Sequence, residues 1–171
     1  AYNWGVPVPA SVPAVEVVAG ALYPGKYGIT LTYVRDDGSE SGAPGAQFFE
    51  TVDDQFGITL TNIPTIAEAA KVRIYMTAAN GETFYLADEI LAGVATRTIT
   101  SAPLTVPLRS YLVTPPPAGS LIEYHNSRVF VVDGRFIYFS DAFSHEWFKL
   151  HEWFFRMTED ITLLGAVEAG M

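Results

Sequence analysis

The feature that most restricts this chain is a period of two in its hydrophobic residues. In Tyr27-Gly-Ile-Thr-Leu-Thr-Tyr-Val34, Ile29, Leu31 and Tyr33 share one parity while Thr30 and Thr32 take the other. That spacing puts alternate side chains on opposite faces of an extended strand, with one face toward a core. Ile58-Thr-Leu-Thr61 repeats it, and Val72-Arg-Ile-Tyr-Met76 does so again with Arg73 and Tyr75 outward. Each reads as a half-buried strand. Asn80-Gly81, between the runs 71–77 and 83–90, is the strongest short-range sign of a two-residue hairpin, because both residues tolerate positive φ. Asp37-Gly38 marks another turn. The only helical candidate, Ile66-Ala-Glu-Ala-Ala70, is too short for more than one turn. Strands at short, even spacing with Gly, Asn and Asp turns predict an antiparallel β-sandwich rather than an α/β fold.

Proline divides the rest. Residues 1–14, with Pro7, Pro9 and Pro13, cannot donate a continuous backbone ladder and read as an extended Pro-rich arm. A second Pro-rich stretch over 102–117, with Pro103, Pro107 and Pro115 to Pro117, reads as a semi-rigid linker. Between them lies a candidate sandwich domain, 15–101. After them, 118–171 forms a second segment. There, Arg128-Val-Phe-Val-Val-Asp-Gly-Arg-Phe-Ile-Tyr-Phe139 is apolar at both parities, with Asp133-Gly134 as a tight turn, so both faces of that hairpin must be covered. Such a pattern suits the inner strands of a β-propeller blade. Residues 119–125 read as a preceding strand and 160–168 as a following one.

Composition narrows the function classes. The chain has 171 residues, enough for one large domain or two small ones, and 49% are hydrophobic against 17% charged, which excludes wholesale disorder. Ten Lys and Arg against 19 Asp and Glu give a net charge of −9, which argues against a nucleic-acid partner or a polybasic membrane surface. The absence of Cys removes disulfide scaffolds, Cys-based zinc sites and thiol nucleophiles together. No apolar run reaches the roughly 18 to 20 residues of a membrane-spanning helix. The start at Ala1, without Met or signal-peptide features, and the stop at Met171 directly after a hydrophobic run raise the expectation of a piece of a longer polypeptide.

The strings KYGITLTYVRDDGSESGAP, ITLTNIP and KVRIYMTAANG resemble consecutive strands of fibronectin type III-like modules. The stretch PPPAGSLIEYHNSRVFVVDGRFIYFSDAFSHEWFKL, continuing into FFRMTEDITLLGAVEAGM, resembles propeller-containing structural proteins of tailed bacteriophages and prophages. Ser127-Arg128, Tyr138-Phe139-Ser140 and Glu146-Trp147-Phe148 occupy the places of that pattern, and the N-terminal WGVPVP is similar to its lead. The resemblance implies an all-β chain: a fibronectin type III-like sandwich followed by propeller-blade-like hairpins, the latter incomplete because propellers have four or more blades.

Catalytic signals are thin. His145 and His151, in His145-Glu-Trp-Phe-Lys-Leu-His-Glu-Trp-Phe154, do not have the i, i+4 spacing of a helical zinc box, and His125 stands apart. A local duplication is the simplest account of that string; a metal site completed by Glu146 or Glu152 and a pH-sensitive contact are the alternatives. The carboxylate pairs Asp36-Asp37, Asp53-Asp54, Asp88-Glu89 and Glu159-Asp160 lie in or beside turns, and adjacent residues on a strand point to opposite faces. They read as solvated charges. No Gly-x-Ser-x-Gly elbow occurs, and Gly42-Ala-Pro-Gly45 lacks the Lys and helix of a phosphate loop.

Trp147, Phe148, Trp153, Phe154 and Phe155 form the most unusual local feature. Three readings compete: rings packed inside the blade, a protein–protein interface in an oligomer, or a sugar-stacking platform using His151 and Glu152. With catalytic signals thin, the resemblance to phage proteins implies a non-enzymatic structural component of a phage or prophage virion, in the tail or head–tail connection and assembled in the bacterial cytoplasm. It would contact other virion proteins and copies of itself, with no metal, cofactor, small-molecule ligand, nucleic acid or membrane span. A carbohydrate-binding or host-adhesion module is the first alternative, and part of a polysaccharide hydrolase the second.

Overall fold

The computed structural model describes residues 4–52, 54–101 and 106–166. Along the chain these form β1 (Ala14–Leu22), β2 (Gly25–Val34), β3 (Gln47–Thr51), β4 (Phe56–Thr61), β5 (Lys71–Thr77), β6 (Phe84–Leu91) and β7 (Arg97–Ile99). Then follow β8 (Leu121–His125), β9 (Arg128–Asp133), β10 (Phe136–Asp141), β11 (Ser144–Phe148) and β12 (Phe154–Arg156). The described residues contain no helix, and none therefore is long and apolar enough to cross a membrane. The chain divides into two compact units, Val6–Leu112 and, of the described residues, 113–166 with 4–5.

The first unit is sandwich-like. One sheet has the order β1-β4-β7 and the other β3-β2-β5-β6, every pairing antiparallel. Their facing sides share one core: Tyr27, Ile29, Leu31 and Tyr33 of β2 and Val72, Ile74 and Met76 of β5 meet Phe56, Ile58 and Leu60 of β4. Val6 belongs to the same core. Each fully buried aliphatic side chain there contributes about 1.5 to 3 kcal/mol relative to exposure.

The outer face of the four-stranded sheet differs from the alternation. Thr30, Thr32, Tyr75 and Thr77 lie on the face opposite the core, yet all are buried, so β2 and β5 are not half-buried strands. The cover comes from two stretches that read as turn and linker. Thr30 Oγ1 donates to Pro44 O at 3.0 Å, and Ala43 bridges Tyr111 in parallel, with Ala43 N donating to Ser110 O at 2.8 Å. Residues 106–108 run antiparallel along β6: Leu86 N donates to Val106 O and Leu108 N to Phe84 O, both at 2.8 Å. Pro107 has no N–H to lose at that edge.

One turn of this unit departs from expectation. Ala78–Thr83 is longer than a two-residue hairpin, and only Asn80 has positive φ, at 58°. Asn80 is recruited to β2 instead: its N donates to Lys26 O at 2.8 Å and its Oδ1 accepts from Lys26 N at 3.1 Å. Ile66–Ala70 forms one turn, closed by Ala69 N to Ile66 O.

In the second unit β8, β9 and β10 are successive neighbours, and the far edge of β10 is shared by β12 along Phe136–Tyr138 and β11 beyond Ser140. Asn126 and Ser127, at φ 48° and 60°, make the two-residue turn between β8 and β9. That geometry matches the right-handed twist of the paired strands. Between β9 and β10 the turn residues are Gly134 and Arg135, one place later than Asp133-Gly134, because Asp133 pairs with Phe136. The described part of the expected strand 160–168 forms no ladder. Ile161 N donates to Gly134 O, at 3.0 Å, in the β9–β10 turn; residues 167 and 168 lie outside the described residues.

Candidate functional site

The five aromatic residues singled out in the sequence do not form one surface. Phe148 ends β11 and is fully buried with Val129 and Val131, its backbone bonded both ways to Thr114. After it, the turn closed by Glu152 N and Trp153 N on Lys149 O sends the chain back along β10 as β12. The register then separates the rest. Phe154 shares a face with Phe136 and Tyr138, at centroid distances of 5.7 and 6.1 Å. Phe155 and Trp153 sit against Phe139 of the opposite face, at 5.4 and 6.4 Å. Trp147 is half-buried. Both faces of the small sheet are therefore aromatic, and both remain partly open: Ile122 and Tyr124 on one are 61% and 56% exposed, Phe155 on the other 54%.

The histidines stay apart in chemistry. His145 packs edge-on to Tyr124 at 5.3 Å. Among the described residues no three His, Asp or Glu side chains cluster as metal ligands. Of the carboxylate pairs, Asp53 lies outside the described residues. Asp37 accepts from Ser39 N and Oγ, and those bonds lower its pKa. Asp88 is paired with Arg97, and Glu89 with Lys71 and Arg73.

A denser polar group lies on the outer face of the four-stranded sheet, around Glu40. Its carboxylate accepts from Thr32 Oγ1 at 2.6 Å, Tyr75 Oη at 2.8 Å and Arg73 Nη1 at 2.6 Å. Burial, then the Glu40 charge, raises the Tyr75 phenol well above its ordinary range. Burial works against the Arg73 charge, but Glu89 and Glu40 more than offset it. Lys71 and then Arg73 hold Glu89 below its usual 4.5. A carboxylate lowered in the folded state adds stability above its unfolded value, and that contribution is lost as pH falls through the folded value. Glu89→Gln is expected to flatten the decline in urea midpoint below about pH 4.5. Equal slopes for both proteins would contradict the assignment.

A third place is a cavity of about 490 Å³ lined by Lys26, Phe48, Asn80, Gly81, Glu82, Phe84 and Tyr111. Phe84 and Tyr111 stack at 4.9 Å and 28°, and Lys26 Nζ stands 5.1 Å from the Phe48 ring centre. The rings close over Gly28, where a Cβ would come within 2.8 Å of Phe48 and 3.1 Å of Phe84. Sequence reasoning missed this group, whose members sit on β2, β3, the β5–β6 loop, β6 and the segment after it. Gly28, at an outward position of β2, was the one available signal.

Compared with known proteins, the sequence matches no family description and no curated protein, and the fold matches no solved structure.

Proposed function

We propose that this chain is an architectural module of a tailed-phage or prophage virion, acting through contacts with β-rich neighbours and without turnover. The observation that carries the reading is the two-faced sheet of the second unit. A sheet with large apolar residues on both sides is suited to be covered on both, and Ile122, Tyr124 and Phe155 are still exposed. Blades of a propeller solve that problem by stacking on one another, which favours the propeller-like reading over an isolated hairpin domain. The order of motifs from the Pro-Pro-Pro lead through Tyr138-Phe139-Ser140 to Glu146-Trp147-Phe148 supports placement in the tail or head–tail connection. In the first unit, the three-on-four strand arrangement with β2 and β5 side by side supports a fibronectin type III-like spacer.

The protein is expected in purified virions of the encoding phage or prophage, in the copy number of a structural component, by quantitative mass spectrometry. Tyr124→Ser with Phe155→Ser should weaken its association with virion partners while leaving the melting curve in place. Absence from virions would overturn the virion assignment, and unchanged association would overturn the role of the sheet faces.

A further inference from the structure

We propose that the cavity at the start of β2 binds a neutral saccharide of one or two pyranose rings. This inference concerns the first unit alone and stands independently of the virion reading.

The cavity joins the two surfaces a sugar needs. Its floor and one wall are aromatic: Phe84 is buried beneath Tyr111, and Phe48 is 54% exposed beside them. Pyranose rings present a flat C–H face that packs on such rings, whose faces carry partial negative charge. The rim is polar. Lys26 supplies donors, Glu82 acceptors, and the Asn80 carboxamide sits where its backbone N and Oδ1 are fixed by Lys26. A few placed polar groups over an apolar floor are the usual make-up of a small-ligand site, and about 490 Å³ lies within the usual range of roughly 300 to 1,000 Å³. One cation and one carboxylate at the rim favour a neutral ligand over an acidic or basic one.

The site is also held in shape before any ligand arrives. Gly28 lets Phe48 and Phe84 approach the β2 backbone, and Gly28 N is bonded to Thr77 Oγ1 at 3.0 Å. Ala46 N donates to Tyr111 Oη at 3.3 Å, which fixes the outer ring. Ordering of rings and loop is thus largely complete in the free protein, so less affinity is spent on it.

The test is an array of glucose, galactose, rhamnose and N-acetylglucosamine oligosaccharides, followed by NMR titration of the best binder. A proline-rich peptide is included because aromatic grooves also take polyproline helices. Binding should fall roughly tenfold in Phe48→Ala and several-fold in Glu82→Ala, both exposed positions whose melting curves should match the parent. Phe48→Trp should retain binding, and Trp153→Ala should leave it unchanged. Failure of every saccharide to bind at millimolar concentration, equal binding by Phe48→Ala, or binding of the peptide alone would each overturn the proposal.

Discussion

Gly20→Val should be among the most damaging single substitutions in the first unit, costing about 3 kcal/mol or more. A Cβ at Gly20 would lie 2.6 Å from both Phe56 O and Gly57 N and 2.7 Å from Gly57 Cα. All three are backbone atoms, so no side-chain rotation relieves the contact. Retreat is blocked as well: Gly20 N bonds to Gln55 O, Ala21 N bonds to Thr100 O, and the β1–β4 register shifts between Ala19 and Leu22. Gly45→Ala is the matched control, with nothing within 4 Å of its Cβ. It should stay within about 0.5 kcal/mol of the parent. Urea unfolding followed by far-UV circular dichroism compares the two, and a Gly20 variant as stable as the control would refute the close-contact account.

Glu40→Ala should cost about 3 kcal/mol, a loss that comes from what it leaves behind more than from what it removes. Thr32 and Tyr75 are buried hydroxyls that donate to this carboxylate, and Arg73 donates from the third side. Truncation strands two hydroxyl donors under the cover of residues 40–46 and leaves Arg73 with Glu89. Glu40→Gln keeps an acceptor oxygen and should cost about half as much. In Tyr75→Phe the cost of Glu40→Ala should shrink, since one stranded donor is gone; additivity of the two changes would show that they do not interact.

What the sequence disclosed was whatever depends on neighbours in the chain. The alternation at Ile29, Leu31, Ile58 and Ile74 located the central strands, and the apolar run around Asp133 located the hairpin of the second unit. It did not disclose that Thr30, Thr32 and Tyr75 are buried, because their cover is brought from Ser41–Pro44 and Ser110–Tyr111, short stretches without periodicity. Pro107 disguised a paired edge in the same way: the bonds there are donated by Leu86 and Leu108. The candidate sites show the converse. Trp147 to Phe155 are close in sequence, but one turn at Lys149–Glu152 and the pleat distribute them between a core and two faces. Phe48, Phe84 and Tyr111 are distant in sequence and meet only because the strands pair.

The return of residues 106–112 to β6 and to Ala43 also sets an order of events. On the ribosome, the four-stranded sheet can pair internally once β6 has emerged, but the cover of its outer face is incomplete until the chain through Leu112 is free. Until then the free edge of β6 faces water and other nascent chains, the kind of surface that templates mispairing. Residues 106–112 therefore act last in the first unit, as the clasp that ends this vulnerable interval.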